Sequence, residues 1–218
     1  MRPGDIAYTP KAVAEQAVEE VVSQWGIPGS AVDVGAGRGA ISKALEVHMY
    51  PDRIIPIEPR RECAQALEGY PNRVESTIQE WMEVDRGQYD LVIANPAFSL
   101  IAEIAPLCLR LAGQTGEPAG YKGVVCLLGL LDWGQRCTSL QRHGSPTHRA
   151  VWIETPPTHC WRIPGSLSMS AEGSGDARSY CWWIWAPGPR PHPTGWITTT
   201  LPCLPGPARR VTAEETNA

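Results

Sequence analysis

The sequence has no long hydrophobic run, since none of its apolar stretches approaches the roughly 20 residues that a membrane-spanning helix needs. Its first residues also lack the charged start and apolar centre of a signal peptide. We therefore expect a cytoplasmic protein without a membrane segment. A length of 218 residues fits one domain, large enough to bury about 70% of its unfolded surface and to enclose a ligand pocket.

Positive charge is also scarce. Lysine and arginine together number 19 against 23 aspartates and glutamates, which gives a net charge of −4. This balance excludes a strongly basic protein that coats nucleic acid without discrimination. Any contact with nucleic acid must therefore be local.

The seven cysteines lack the Cys-x-x-Cys spacing of zinc and redox motifs. They are scattered along the chain, and four of them lie within apolar runs, which is typical of reduced core thiols in an intracellular protein. No histidine is paired with a cysteine at the spacing of zinc ligands. We therefore expect no metal site.

What the sequence does contain, through its first half, is an alternation of strand-like and helical segments. Thr9 is predicted as the N-cap of a first helix that has Pro10 at its first position and ends before Gly26. The further pattern predicts strands at 31–34, 53–57, 73–77, 90–94 and 123–131, and helices at 40–48, 62–67 and 99–111. Such alternation predicts a doubly wound α/β fold with a parallel sheet.

The second half changes in character. Residues 132–179 are rich in Pro, Gly, Ser, Arg and His and are predicted to be loop-rich, with a short helix at 135–141 and a strand at 151–155. Residues 180–185 are apolar on both faces, which predicts a central strand, and 196–201 an edge strand. We expect a single domain over 1–204 and a disordered polar tail over 205–218.

A glycine-rich loop, Asp33-Val34-Gly35-Ala36-Gly37-Arg38-Gly39, connects the first predicted strand to a helix. Glycine lets the backbone turn tightly and approach a ligand closely at a helix N-terminus. A dinucleotide-binding Gly-x-Gly-x-x-Gly would place its third glycine at position 40, where this chain has Ala40. A small residue is tolerated there, so the loop alone leaves a redox cofactor open.

A second motif, Asn95-Pro96-Ala97-Phe98, directly follows the apolar run 91–94 and contains the only phenylalanine of the chain. It resembles the Asn-Pro-Pro-Phe signature of class I S-adenosylmethionine-dependent methyltransferases that modify planar amino groups. The glycine loop resembles the nucleotide-binding loop of the same superfamily. The resemblance is closest to small phage-type DNA adenine N6-methyltransferases, and it is specific from about Tyr8 to Phe98 and looser as far as Trp185.

This resemblance implies a Rossmann-like, mostly parallel seven-stranded sheet with helices on both faces and an antiparallel late strand. It also implies S-adenosylmethionine as the cofactor. Glu58 is expected to accept hydrogen bonds from both ribose hydroxyls, and residues 8–10 either to fold over the methionine end or to serve only as a helix cap. The expected cofactor-binding residues are Tyr8, Thr9, Pro10, Asp33, Gly35, Ala36, Gly37, Gly39, Glu58, Glu80 and Trp81, with Glu80 and Trp81 at the adenine.

The expected catalytic residues are Asn95, Pro96, Ala97 and Phe98. The exocyclic amine of adenine is a poor nucleophile because its lone pair is delocalised into the ring. Hydrogen-bond acceptors for its two N–H groups favour the pyramidal form of the nitrogen. The resemblance assigns this role to the Asn95 side-chain oxygen and the Pro96 carbonyl. Phe98 would stack on the flat base. Ala97 departs from the family pattern, which frees the torsion of Pro96 and is expected to alter the rate or the choice of amine.

DNA is the expected partner, either as a duplex with a flipped adenine or as a single strand. Trp133 and Trp161 are candidates for stacking on bases. Positive residues in and beside the loop-rich region are predicted to contact phosphates, with a solvated loop face as the alternative. These residues are Arg136, Arg142, Arg149, Arg162 and Arg178.

Three other functions stay open. The first is methylation of an amine in RNA. The second is methylation of a protein glutamine, which we disfavour because the N-terminal substrate-binding domain usual in those enzymes has no counterpart in this sequence. The third is a non-catalytic partner subunit, which Ala97 supports and which the retained glycine loop and Glu58 oppose. The oligomeric state is not predicted.

Overall fold

The computed structural model describes residues 8–85, 87–113, 122–131, 157–163, 179–187 and 197–201, with only the backbone of Phe98. Its strands are β1 (Ala31–Val34), β2 (Ile54–Ile57), β3 (Leu91–Ala94), β4 (Val124–Leu130), β5 (His159–Arg162), β6 (Tyr180–Trp185) and β7 (Ile197–Thr200). Its α-helices are α1 (Lys11–Trp25), α2 (Ala40–Leu45), α3 (Ile78–Val84) and α4 (Ile101–Leu111). Short 3-10 helices cover Pro51–Arg53, Arg61–Leu67 and Phe98–Leu100.

The strands form one seven-stranded sheet in the order β2-β1-β3-β4-β6-β5-β7. β1 pairs in parallel with both β2 and β3, β3 with β4, and β5 with β7. β6 alone runs antiparallel to its neighbours β4 and β5. The predicted Rossmann-like fold, with a mostly parallel sheet and one antiparallel late strand, is confirmed.

Two apolar clusters cover the two faces of the sheet. One holds the buried side of α1, including Val13, Ala17 and Val21, together with α2. The other holds the buried residues of α3 and most of those of α4. All six residues of β6 are buried, and consecutive members alternate between the clusters. Residues 180–185 therefore form the central strand that their two-sided apolar character predicts.

The prediction of a strand at 73–77 is wrong. Val74 forms only an isolated bridge to Ile57, and the chain then enters α3. Thr77 and Glu80 form a reciprocal capping box at the start of this helix, in which the Thr77 side chain accepts from the Glu80 N–H and the Glu80 carboxylate accepts from the Thr77 N–H. The Thr-x-x-Glu spacing in the sequence is the signal for this helix start.

Two expectations in the second half are revised. β5 lies inside the region predicted to be loop-rich, and its Trp161 is fully buried and stacked on Trp25 with ring centroids 5.6 Å apart. Trp161 is therefore a core residue and is unable to stack on a base. The predicted elements at 135–141 and 151–155, and the predicted base-stacking Trp133, lie outside the described residues. In the described ranges, no helix is long and apolar enough to cross a membrane.

Candidate functional site

A cavity of about 920 Å³ opens beyond the carboxyl ends of β1, β2 and β3. In the sheet, β1 is flanked by β2 on one side and by β3 on the other, so the chain leaves β1 and β3 in opposite directions. This is the topological switch point at which open α/β sheets bind ligands. The predicted site residues that line the cavity are Tyr8, Thr9, Gly35, Ala36, Gly37, Glu58, Asn95, Pro96 and Ala97.

The glycine loop forms one wall of the cavity. The N–H groups of Gly35 and Ala36 both donate to the Ile57 carbonyl, at 2.9 and 3.0 Å, which ties the loop to the end of β2. Gly37 has φ +56°, and a Cβ there would lie 3.1 Å from the Tyr8 ring. Gly39, with φ +77°, precedes α2 and packs against Leu67 outside the cavity lining. Glycine is thus needed both for backbone conformation and for close approach.

Asp33 does not line the cavity, although it was predicted to bind the cofactor. It is fully buried, and its Oδ2 accepts hydrogen bonds from the N–H of Ser42 at 3.0 Å and from its Oγ at 2.6 Å. Burial raises the pKa of Asp33 to about 7, against the lowering effect of these bonds. The structure therefore gives Asp33 the task of fixing α2 behind the loop.

Glu58 presents a nearly buried carboxylate to the cavity. Its Oε2 accepts from the Gly37 N–H at 2.7 Å and from Arg60 Nη2 at 3.0 Å. Its Oε1 accepts from the Arg60 N–H at 3.0 Å and from Arg60 Nε at 2.7 Å. Burial favours the neutral acid, but the hydrogen bonds from Arg60 and Gly37 outweigh it and hold the pKa of Glu58 below its usual value.

Arg60 is a cavity residue that the sequence reasoning missed. Besides holding Glu58, its guanidinium lies 5.5 Å from the centre of the Tyr8 ring, and the Arg38 guanidinium lies 4.8 Å from the same centre. Buried Nη1 of Arg60 has no hydrogen-bond partner among the described residues. No motif marks this role in the sequence, because an arginine two positions after a strand-end glutamate is an ordinary occurrence.

The segment 8–10 lies against this site, but without the predicted capping role of Thr9. α1 begins at Lys11, its N-cap residue is Pro10, and no side chain caps it. Thr9 Oγ1 instead accepts a hydrogen bond from Asn95 Nδ2 at 3.0 Å. Pro10 itself is not part of the lining. Thr9 therefore joins the N-terminal segment to the second motif.

The second motif forms the opposite wall. Asn95, Pro96 and Ala97 leave the end of β3 and line the cavity. Ala97 has φ −53° and ψ 131°, and a 3-10 helix over Phe98–Leu100 follows it. The Phe98 side chain lies outside the described part of the structure, so its predicted stacking role stays a prediction.

Glu80 and Trp81 lie outside the lining, whereas Ile78 and Gln79 contribute to it. The Glu80 carboxylate is exposed and engaged with Thr77 in the capping box. Trp81 is buried, with its ring centroid 5.7 Å from that of Tyr89. The cavity contact expected at 80 and 81 thus falls on 78 and 79, because the first turn of α3 faces the cavity.

Of the five arginines predicted to contact phosphates, one lies within the described residues. Arg162 is exposed on β5, and Arg136, Arg142, Arg149 and Arg178 lie outside the described residues. Lys11, Arg38 and Lys43 also line the cavity and were not predicted. Within the described ranges, no three His, Cys, Asp or Glu side chains are grouped as metal ligands would be.

No protein-family model and no curated protein sequence matches this chain. Solved structures do match it. One is from Pyrococcus horikoshii, provisionally described as an RNA methyltransferase, with a TM-score of 0.61 and 16% identity over 83% of this chain and 86% of that one. Another is the modification subunit of a provisionally described type I restriction enzyme from Vibrio vulnificus, with a TM-score of 0.62 and 15% identity over 92% of this chain.

A third match is the methyltransferase subunit of a type I restriction-modification system from Streptococcus thermophilus, with a TM-score of 0.55 and 14% identity over 84% of this chain. This chain spans about half the length of the two restriction-system subunits, 45% of the third match and 48% of the second. At such identities the likeness is one of fold. The fold is therefore that of these methyltransferase structures.

Proposed function

We propose that this protein transfers a methyl group from S-adenosylmethionine to an exocyclic amine, and that this amine is N6 of adenine in DNA. The observation that carries the proposal is the composition of one cavity. The glycine loop and Glu58 form one wall, and Asn95, Pro96 and Ala97 form the opposite wall. A cofactor and an amine held by these two walls would face each other.

The residues present fit S-adenosylmethionine. A cavity of about 920 Å³ is near the upper end of the range of about 300–1,000 Å³ for small-molecule sites. Gly35, Ala36 and Gly37 line the cavity with no side chain larger than a methyl group, and the Glu58 carboxylate is an acceptor suited to ribose hydroxyls. When bound, the cofactor supplies the electrophilic methyl group.

The chain's own contribution is to orient the amine and to favour its pyramidal form. The Asn95 side-chain oxygen and the Pro96 carbonyl accept hydrogen bonds from the two N–H groups of the amine, so that the nitrogen lone pair is aimed at the methyl group. No strong general base is needed, because the nitrogen becomes acidic only after it is methylated and its proton can then pass to solvent. The Phe98 ring holds the base by stacking.

The departure from the family pattern at Ala97 is small in backbone terms. Its φ of −53° lies within the range of about −65 ± 15° that a proline ring would impose. The path of the chain at this position is therefore one that the second proline of Asn-Pro-Pro-Phe would also follow. This geometry supports an active motif over a non-catalytic partner subunit.

Two of the three structures compared above come from restriction-modification systems, which favours DNA as the substrate. RNA is the second candidate, because the Pyrococcus horikoshii protein is described as an RNA methyltransferase. Contacts to the nucleic-acid backbone are proposed for Arg162 and for the four arginines outside the described residues. We further propose a cytoplasmic location.

The test has two stages. Calorimetry with the purified chain measures binding of S-adenosylmethionine, which separates an enzyme from a partner subunit that binds none. The chain is then expressed in a host without adenine methylation, and the DNA is digested to nucleosides for mass spectrometry. We expect N6-methyladenine from the parent protein and much less, though still a measurable amount, from Asn95→Ala, the matched control.

Phe98→Ala should reduce turnover strongly while leaving the affinity for the cofactor nearly unchanged. Equal turnover of this variant and the parent contradicts the stacking role. Cofactor binding without N6-methyladenine in the DNA moves the assignment to RNA or protein amines.

A further inference from the structure

A hydrogen bond joins the N-terminal segment to the second motif across 86 positions of sequence. Asn95 Nδ2 donates to Thr9 Oγ1 at 3.0 Å, and both residues are partly buried in the cavity wall. The Asn95 carboxamide has two unlike ends, a donor nitrogen and an acceptor oxygen. A bond made by the nitrogen therefore sets the direction of the oxygen.

Thr9 is held firmly enough to set this direction. The following Pro10 restricts Thr9 to extended backbone, and the Pro10 carbonyl accepts from the N–H groups of Val13 and Ala14 in the first turn of α1. α1 is in turn packed on the sheet by five buried apolar residues. On the other side, the Tyr8 ring lies against Gly37 and beside the Arg38 and Arg60 guanidinium groups.

We propose that Thr9 is a positioning residue that fixes the Asn95 carboxamide with its oxygen aimed at the substrate amine. This inference rests on the proposed function, and it assigns to Thr9 a task other than contact with the cofactor. A carboxamide turned by half a rotation would present N–H groups to the N–H groups of the amine. The acceptor needed to favour the pyramidal nitrogen would then be lost.

Two substitutions distinguish the effect of the Thr9 hydroxyl group from the effect of its side-chain volume. Thr9→Val keeps the volume and removes the hydrogen-bonding group, whereas Thr9→Ser keeps the hydroxyl. We expect Thr9→Val to lower kcat by about tenfold, as for loss of one net hydrogen bond, and to change the cofactor Kd by less than about twofold. Thr9→Ser should stay close to the parent.

Thr158→Val is the matched control. The Thr158 hydroxyl is buried and donates to the Ile184 carbonyl at 3.1 Å, and Thr158 is not part of the cavity lining. This variant should lose stability without a comparable fall in kcat. An equal fall in kcat in the control overturns the proposal, since any loss of a threonine hydroxyl would then suffice.

A double-mutant cycle tests whether Thr9 acts through Asn95. In the Asn95→Ala background, Thr9→Val should have almost no further effect on kcat, because the group that it orients is gone. An undiminished effect in that background contradicts the inference. A loss confined to cofactor affinity would make Thr9 a cofactor contact instead.

A measurement made without any substrate tests the positioning role of Thr9 independently of the proposed function. The side-chain amide signals of Asn95 are assigned in the 15N–1H spectrum of the full chain by their loss in Asn95→Asp. We expect these signals to shift in Thr9→Val and to stay near their parent positions in Thr9→Ser. Unchanged signals in Thr9→Val overturn the positioning role whether or not DNA is methylated. A shift in a protein that methylates no DNA refutes only the proposed substrate.

Discussion

Replacing Arg60 with methionine should tighten the binding of S-adenosylmethionine. The Glu58 carboxylate already accepts four hydrogen bonds, three of them from Arg60. An ionised carboxylate offers about four lone-pair sites, so two ribose hydroxyls need two of these bonds to be released. The side-chain bonds from Arg60 Nε and Nη2 are the two that a side-chain movement releases. Release also frees the buried Nη1, which has no partner among the described residues.

The size of the expected change in Kd depends on whether Arg60→Met destabilises the free protein or the cofactor-bound protein. In the free protein, Arg60→Met removes two charge-assisted bonds from a carboxylate that is 3% exposed. Hydrogen bonds to charged groups contribute about 1.5–3 kcal/mol each, and the side chain of Arg60 is one-fifth exposed, which favours the low end. In the bound protein the ribose hydroxyls replace these bonds. Two such bonds at the low end amount to a loss of about 3 kcal/mol from the free state alone, which corresponds to a Kd lowered by roughly 100-fold.

Calorimetry at mildly alkaline pH is the assay, because removing Arg60 raises the pKa of Glu58 and the carboxylate must stay ionised. Arg61→Met is the matched control, since Arg61 is the exposed neighbour and is not part of the cavity lining. Thermal melting should show Arg60→Met less stable than the parent without cofactor and more strongly stabilised by it. Weaker binding by Arg60→Met refutes the competition and makes Arg60 a direct contact. Equal binding means that Glu58 is not the ribose acceptor.

Three further substitutions test other parts of the structure. The pKa of Asp33 is raised from 3.8 to about 7, so its contribution to the free energy of unfolding is full below pH 3.8 and falls as the pH rises towards 7. Asp33→Asn should remove this fall in urea denaturation at several pH values, and an unchanged pH profile contradicts the raised pKa. Trp161→Ala should cost about 3–5 kcal/mol of unfolding free energy, and a loss below about 1 kcal/mol would be incompatible with full burial. Ala97→Pro should keep cofactor affinity and turnover, because Ala97 already has a proline-like φ; a large loss would show that its N–H is needed.

The sequence predicts the sheet well because its strands are buried on both faces. β1, β3 and β6 are short, wholly buried segments that are apolar apart from Asp33, and such segments have few alternatives when helical patterns separate them. Residues 73–77 are misassigned because the β-branched Val74 and Thr77 favour a strand there, whereas the capping box decides for a helix start. β5 was missed for the opposite reason, since a four-residue strand inside a region rich in proline and glycine has too little pattern of its own.

The positions of site residues could be predicted where the backbone conformation determines them. They could be predicted less well where a side chain has more than one possible partner. Glycine loops and the segment 95–97 fix their own geometry through torsion preferences, so their positions follow from the sequence. Asp33 lies in β1 and Glu58 directly follows β2, yet one turns to Ser42 and the other to the cavity. That difference depends on which face of the strand or loop each residue occupies. Sequence spacing does not report it.

The two walls of the cavity are linked through the consecutive residues Tyr8 and Thr9. Tyr8 contacts the glycine loop and the Arg60 that holds Glu58, while the adjacent Thr9 holds Asn95. Any movement of Arg60 on cofactor binding therefore changes the surroundings of Tyr8, one residue from the bond that orients Asn95. If both proposals hold, cofactor binding and orientation of the carboxamide are coupled through two consecutive residues. Arg60→Met and Thr9→Val would then be non-additive in kcat, although the two side chains belong to different walls.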